Sequence, residues 1–90
     1  MKRDLEVNKL RGIGMDLLVK YSDLLDTDHK ITYIGLLKTE KLIDSESKTF
    51  GSDVAYFLNL IIEILTSYED KMSKEDQEEF EDVCTRSLAL

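Results

Sequence analysis

The sequence predicts an all-α fold: a compact, single-domain bundle of three to four helices with a central helix over about residues 52–72. Apolar residues recur at steps of three and four along most of the chain, which is the spacing of one side of a helix. The 90 residues suffice for one hydrophobic core but not for two, so residues 1–90 are expected to form one helical domain. The apolar fraction of 42% indicates a folded protein rather than a disordered one.

The first predicted helix covers about residues 4–25. Its apolar stripe consists of Leu10, Ile13, Leu17, Tyr21 and Leu24. Gly12 and Gly14 interrupt this stripe, and each weakens a helix by roughly 1 kcal/mol relative to alanine. We therefore expect the helix to begin properly only near Met15. The alternative is that the glycines let another segment approach closely.

Residues 26–43 contain a turn and then the least regular helix signal. Three residue types that cap helices or form turns come first, namely Asp26, Thr27 and Asp28. The apolar residues that follow fit one helical side: Ile31, Ile34 and Leu37. The run from Ile31 to Ile34 is also β-branched and aromatic, and Gly35 follows it, so a short hairpin is the alternative. We favour a helix because a lone hairpin would have no sheet to join.

The strongest helix signal covers residues 50–72. The polar residues 44–52 before it are expected to form the main loop, with Ser52 as N-cap and Asp53 in the first turn. The apolar stripe alternates in steps of four and three without a break: Val54, Leu58, Ile61, Leu65, Tyr68 and Met72. Other apolar residues widen this surface, which must then be covered on two or three sides. This width predicts the central helix of the bundle.

Ser73 is predicted to cap the last helix, because Asp76 three residues later nearly completes a capping box. The helix is expected to run to about Leu88. Its inward side consists of Phe80, Val83, Cys84, Ser87 and Leu88. That side is narrow, so this helix is expected at the bundle surface. The sequence shows no repeat that would divide the chain.

No residue pattern indicates catalysis, and we expect no enzyme, no catalytic residue, no cofactor and no metal site. His29 and Cys84 are the only histidine and the only cysteine, and they lie in different predicted segments. A nucleophile pair needs both in contact, with a third group that orients the imidazole, and a zinc site needs more ligands. Capping explains Asp26 and Asp28 better than a calcium loop, which requires glycine where Ile31 stands.

Charge and hydropathy exclude two kinds of partner. With 19 acidic and 12 basic residues the net charge is −7, which has the wrong sign for direct binding to nucleic-acid phosphates. The longest nearly apolar run, residues 54–65, is shorter than the roughly 20 residues of a membrane-spanning helix, so no membrane partner is expected. The first residues carry no apolar signal segment, and the single cysteine has no disulfide partner. We therefore expect a cytoplasmic protein.

Nearly all of the net charge lies in residues 69–82, which we call the acidic segment. Its acidic residues are Glu69, Asp70, Glu75, Asp76, Glu78, Glu79, Glu81 and Asp82. Only Lys71 and Lys74 oppose them there. A helix dipole favours acids at a helix start, but acids three and four positions apart repel each other by a few tenths of a kcal/mol. One interpretation is a merely solvated surface, and the other is a docking face for a basic protein.

The docking interpretation leads to our first functional hypothesis. Complementary charge speeds association and excludes wrong partners, and carboxylates can stand where phosphates would stand in a basic groove. The sequence therefore predicts a non-catalytic protein that inhibits or regulates a basic partner protein. The most informative class of partner is a nucleic-acid-binding protein, towards which the chain would act as a DNA mimic. In size and charge, though not in sequence, the chain is comparable to immunity proteins, antitoxins against nucleases and phage-encoded inhibitors of host enzymes.

The alternative hypothesis is a structural role. So short a chain has few residues to cover the flanks of its central helix, and exposed apolar area usually marks an interface. The candidates for such an apolar interface are Tyr56, Leu60 and Ile62. The protein would then be a helical homodimer or a small subunit of a larger assembly, with the acidic segment merely solvated. Both hypotheses are compatible, since a two-fold dimer presents two acidic faces.

Overall fold

Four helices, joined in pairs by 3₁₀ turns, make up the described part of the chain. The computed structural model describes the backbone of residues 2–46 and 51–89, and the side chains of residues 6–41 and 55–89. The helices are α1 (Lys2–Lys20), α2 (Thr27–Glu46), α3 (Gly51–Thr66) and α4 (Lys74–Leu88), and no strand occurs within these ranges. The turn Ser22–Leu24 joins α1 to α2, and the turn Glu69–Lys71 joins α3 to α4. The predicted all-α bundle is confirmed.

The core lies mainly between α1, α3 and α4. α1 makes extensive contacts with α3 and further ones with α4, whereas α2 approaches the other helices less closely. The main buried cluster consists of Met15, Leu17, Leu18, Leu25, Leu36, Phe57, Ile61, Ile64, Leu65, Tyr68, Met72 and Phe80. A second, smaller cluster consists of Val7, Leu10, Leu58 and Val83. Among its described side chains, α2 contributes buried Leu36 to the core, and its Tyr33 and Leu37 pack against the same cluster.

α1 and α3 both end earlier than the periodicity predicts. α1 ends at Lys20 rather than near residue 25, and α3 ends at Thr66 rather than at residue 72. Tyr21, with φ −106°, directly follows α1, and Tyr68, with φ −119°, follows α3 after Ser67. Both tyrosines have non-helical backbone angles, and a 3₁₀ turn comes next. The apolar pattern continues through both turns because Leu25 and Met72 are buried. The central helix predicted over residues 52–72 is therefore a helix and a turn.

The expectation that the first helix begins near Met15 is wrong, because α1 runs unbroken from Lys2. Gly14 is buried against α3, and a Cβ atom at Gly14 would lie 2.8 Å from Ile61 Cγ2. This glycine therefore lets the two helices approach each other, which was the alternative explanation. At Gly12 a Cβ atom would meet nothing within 4 Å.

The second and third helices begin and end differently from the prediction. α2 is the helix favoured over a hairpin, and Asp26 caps it, because Asp26 Oδ1 accepts a 2.9 Å hydrogen bond from the His29 backbone N–H. The loop predicted for residues 44–52 is shorter, since α2 continues to Glu46 and α3 begins at Gly51. Ser52 therefore lies inside the first turn of α3, not at its N-cap. The rest of that predicted loop, residues 47–50, lies outside the described residues.

α4 begins as predicted. The Ser73 hydroxyl accepts a 3.2 Å hydrogen bond from the Asp76 backbone N–H, which is the N-cap interaction. Phe80 and Val83 are buried. Leu88 is 90% exposed, so its assignment to the inward side was wrong.

The two halves of the bundle correspond to each other position by position. Each half consists of a helix, a tyrosine, a 3₁₀ turn, a buried apolar residue, a capping residue and a second helix. Counting along the chain from Tyr21 and Tyr68 pairs the caps Asp26 and Ser73. The same count pairs buried residues with buried residues: Leu17 with Ile64, Leu18 with Leu65, Leu25 with Met72, and Leu36 with Val83. We call residues paired in this way counterparts. The repeat is structural, and the differing residue types hid it from the sequence.

Candidate functional site

Two tyrosine hydroxyls connect the halves of the bundle reciprocally. The Tyr21 hydroxyl accepts a 3.0 Å hydrogen bond from the Ser73 backbone N–H and donates one to the Asp76 carboxylate. The Tyr68 hydroxyl accepts a 2.9 Å hydrogen bond from the Asp26 backbone N–H and lies 3.0 Å from His29 Nδ1. Asp26 and Ser73 are counterparts, and so are His29 and Asp76. Each half therefore holds the start of the other half's second helix.

Asp76 belongs to this junction rather than to an exposed surface. It is 8% exposed, and its Oδ2 atom lies 2.8 Å from Lys20 Nζ. Hydrogen bonds from Lys20 and Tyr21 favour the charged carboxylate and hold the pKa of Asp76 below its ordinary value. The same partnership raises the pKa of Lys20. One of the eight predicted partner-binding acids thus makes its contacts inside the chain.

Most of the other acids of the acidic segment are exposed. Five lie on α4, and we call them the acidic face: Glu75, Glu78, Glu79, Glu81 and Asp82. Asp70 is exposed on the preceding 3₁₀ turn, and Glu69 is half-buried. Within the described part of the chain, Asp82 is the one member of the face that forms a salt bridge, with Arg86, whose Nε lies 3.2 Å away. The charge of Glu75 is felt by Lys20 and contributes to the raised pKa of that lysine.

The fold does not require acids at most positions of the acidic face. The counterparts of these residues on α2 can be read from the sequence. Glu78, Glu79, Glu81 and Asp82 correspond to Ile31, Thr32, Ile34 and Gly35. The equivalent place in a bundle with the same connections thus accepts apolar and small residues. The fold therefore does not explain why so many acidic residues lie on α4.

The three residues of the predicted apolar interface on α3 are covered unequally. Tyr56 is 66% exposed. Leu60 and Ile62 are half-buried and pack against the core. Of the three, only Tyr56 leaves most of its side chain in solvent.

α2 carries an exposed apolar surface that sequence reasoning missed. Ile31 is 64% exposed and Ile34 is 46% exposed, and Gly35 beside them is exposed as well. A signal was present in the sequence, because Tyr33, Leu36 and Leu37 occupy the opposite side of the same helix. A helix with apolar residues on both sides cannot bury both against one neighbour.

His29 and Cys84, the residues considered for chemistry, have different surroundings. The His29 ring packs edge-on against Tyr68, and its Nδ1 lies 3.1 Å from Asp26 Oδ2. Cys84 is a half-buried free thiol beside the core. Burial, and secondarily the charges of Glu69 and Glu81, raise the pKa of Cys84, which disfavours the nucleophilic thiolate.

No family model, no curated protein and no solved structure matches this chain. Its function therefore has to be inferred from its own surfaces. Among the described residues, no group of three or more histidine, cysteine or acidic side chains is placed to hold a metal ion. Within the same residues, no helix is both long enough and apolar enough to cross a membrane. Two surfaces stand out: the acidic face of α4 and the apolar side of α2.

Proposed function

We propose that the protein is a non-catalytic binding protein whose acidic face docks on a basic surface of another protein and thereby inhibits or regulates it. One observation carries this proposal. Four carboxylates of α4 stand exposed without a salt bridge in the described part of the chain: Glu75, Glu78, Glu79 and Glu81. Three of these four occupy positions whose counterparts on α2 are not acidic. The repulsion among these carboxylates therefore destabilises the folded protein, although the fold does not need acidic residues at these positions.

A cationic partner would relieve that repulsion. Acids three and four positions apart on one helix side repel each other, and bound lysine or arginine side chains convert this repulsion into attraction. The Ser73 cap and the contacts of Asp76 with Tyr21 and Lys20 hold the first turn of α4 in place. The carboxylates of the acidic face therefore lie on a helix whose position is fixed before a partner binds. Such preorganisation lowers the ordering cost of binding.

A nucleic-acid-binding protein is the partner class that fits best. Its basic groove is built to receive a row of negative charges, and the exposed carboxylates along α4 offer such a row. Occupying the groove would block the nucleic acid, which is how a small, non-catalytic chain can inhibit. A cytoplasmic location is part of this proposal, and the free thiol of Cys84 is consistent with a reducing compartment.

The test compares three immobilised baits in parallel. The first is the wild type, and the second carries Glu78→Gln, Glu79→Gln and Glu81→Gln. The third is a matched control that removes the same amount of charge from exposed positions elsewhere, with Asp16→Asn, Asp23→Asn and Glu63→Gln. We expect a basic protein from the native host to be retained by the wild type and the control, lost from the face variant and eluted by salt.

Calorimetry with the purified partner completes the test. The affinity should fall steeply with ionic strength for the wild type and more weakly for the face variant. Equal affinity of all three chains, or an affinity insensitive to salt, would overturn the proposal.

A second candidate function is a structural one, as a homodimer or a subunit of an assembly. The observation that favours it lies on α2 rather than on α3, because Ile31 and Ile34 are exposed while Leu60 and Ile62 are largely covered.

A further inference from the structure

The exposed side of α2 has an ordered distribution of charge. Apart from the adjacent pair Ile34 and Gly35, its residues follow one another at steps of three, and all are exposed: Asp28, Ile31, Ile34, Gly35, Lys38 and Lys41. We call this set the α2 stripe. It is acidic at the start of the helix, where Asp26 is also largely exposed, apolar in the middle and basic at Lys38 and Lys41, before the last turn of the helix. Lys30 lies exposed at its flank.

The apolar middle of the α2 stripe is not needed for folding. The counterparts of Ile31 and Ile34 on α4 are Glu78 and Glu81, which are exposed in the same way. A helix at the equivalent place in this bundle is therefore compatible with charges at both positions. Two large apolar side chains left in solvent at such places indicate a surface that something covers.

From these two observations we propose that the α2 stripe is the contact surface of a two-fold dimer of this chain, with the two α2 helices antiparallel. Antiparallel pairing brings the apolar middles together and sets Lys38 and Lys41 of each helix beside the acidic start of the other. Parallel pairing would instead place acid against acid and lysine against lysine, which is unfavourable. The stripe is therefore complementary to itself in one orientation only, and the helix dipoles also favour that orientation.

Gly35 permits the close approach that such a helix pair needs. A Cβ atom at Gly35 would meet nothing within 4 Å, so the chain itself leaves this part of the surface open. Inside the bundle, Gly14 and Ile61 form a tight contact between two helices that are themselves counterparts. Ile34 and Gly35 offer the same combination of an isoleucine and a glycine on the outside.

The inference deepens the second candidate function, the homodimer, and does not depend on the acidic face, which lies on α4. One helix packed on one helix buries less than the roughly 1,600 Å² of a standard stable interface. The dimer is therefore expected to be weak and to dissociate on dilution from millimolar to micromolar protein.

Sedimentation equilibrium on the full chain tests the inference with four proteins. The wild type should dimerise with increasing concentration, and Ile31→Glu with Ile34→Glu should remain monomeric. That double variant copies the residues that α4 carries at its equivalent positions, so it should fold, which circular dichroism checks. Tyr56→Glu is the matched control on α3 and should dimerise like the wild type. Lys41→Glu alone should weaken the dimer several-fold.

A charge exchange distinguishes the antiparallel pair from other modes of contact. Asp28→Lys combined with Lys41→Glu should recover the dimer that Lys41→Glu alone weakens, because the two ends exchange their charges. A wild type that stays monomeric at millimolar concentration would overturn the inference, even if α2 bound a different protein. A dimer that persists in the double isoleucine variant, or that Tyr56→Glu abolishes, would overturn it as well.

Discussion

The hydroxyl group of Tyr21 donates a hydrogen bond to the carboxylate of Asp76, and this contact fastens the start of α4 to the end of α1. The same hydroxyl accepts a hydrogen bond from the Ser73 backbone N–H, so one side chain holds both the cap and the first turn of α4. Lys20 adds an ion pair to the same carboxylate. The acidic face is thus positioned by residues that do not belong to it.

Removing the Tyr21 hydroxyl should destabilise the bundle. Tyr21→Phe leaves the Ser73 N–H without its acceptor and the Asp76 carboxylate without one donor, so we expect a loss of about 1–2 kcal/mol in the free energy of unfolding. Tyr56→Phe is the control, because this tyrosine is exposed, and it should change that energy by less than about 0.5 kcal/mol. Urea unfolding of the two variants decides the matter, and equal effects would contradict the assignment.

Neutralising Asp76 should cost more than neutralising its neighbour. Asp76→Asn removes the charge that Lys20 and Tyr21 bind, so we expect a loss of about 1–3 kcal/mol. For a chain of this size that loss lowers the melting temperature by about 4–8 °C per kcal/mol. Glu75→Gln removes an exposed charge in the same helical turn and should leave the melting temperature nearly unchanged. If both variants melt alike, Asp76 does not have the role described here.

The effect of Asp76 should depend on pH with a defined sign. Its pKa in the folded protein lies below the ordinary value of 3.8, so its contribution to stability is complete above that value and is lost as pH falls through the lower, folded pKa. The pKa of Lys20 is raised above 10.5, so its contribution is present below that value and lost only as pH rises through the higher one. The stability difference between the wild type and Asp76→Asn should therefore be constant at neutral pH.

Denaturant unfolding at a series of pH values measures this difference. It should shrink as pH falls below about 4 and level off once Asp76 is protonated in both states. Other acids titrate in the same range, so the difference between the two proteins is informative and not either curve alone. A difference that stays constant down to pH 2 would contradict the prediction.

Alanine should have opposite effects at Gly12 and Gly14. At Gly12 the added methyl group meets open space, so the gain in helix propensity should stabilise the protein by about 0.5–1 kcal/mol. At Gly14 it would lie 2.8 Å from Ile61 Cγ2, and the overpacking costs about 1–3 kcal/mol, which outweighs that gain. Thermal unfolding of the two variants gives the signs directly, and a stabilised Gly14→Ala protein would show that α1 and α3 are not so close.

The reciprocal contacts of Tyr21 and Tyr68 predict local effects that cross between the halves. Tyr68→Phe removes the acceptor of the Asp26 N–H and the neighbour of His29 Nδ1, both at the start of α2. Amide hydrogen exchange should therefore become faster in the first turn of α2 but not of α4. Tyr21→Phe should do the reverse. Exchange that increases equally in both turns would mean that the tyrosines act only through global stability.

Residue spacing indicated a helix in each of the four places, although it left a hairpin as the alternative for the second. It predicted the Ser73 cap of α4 and gave Asp26, Thr27 and Asp28 as candidates for the cap or turn before α2. Apolar steps of three and four report a helix locally, and Asp26 and Ser73 cap α2 and α4 through hydrogen bonds within three residues. The surplus of acids in the acidic segment was equally visible in the sequence. These features depend on neighbours along the chain, which is why no tertiary contact was needed to find them.

The early ends of α1 and α3 required the folded structure. The apolar pattern runs on to Leu25 and Met72, but Tyr21 and Tyr68 leave the helical conformation where their hydroxyls meet partners in the other half. These partners lie more than 40 residues away along the chain. The spacing of apolar residues along the chain contains no information about such distant pairings. It therefore predicted helices that continue through the two turns.

Contacts between distant segments also explain why some surfaces were predicted from the sequence and others were missed. The sequence shows which residues are charged or apolar, and the packing of distant segments decides which of them are covered. The sequence groups Asp76 with the other acids of the acidic segment, but Tyr21 and Lys20 bind it. It places Ile31, Ile34 and Leu37 on one helical side, but Ile31 and Ile34 lie exposed. Coverage depends on contacts between helices, and those contacts arise only when the two halves of the chain close on each other.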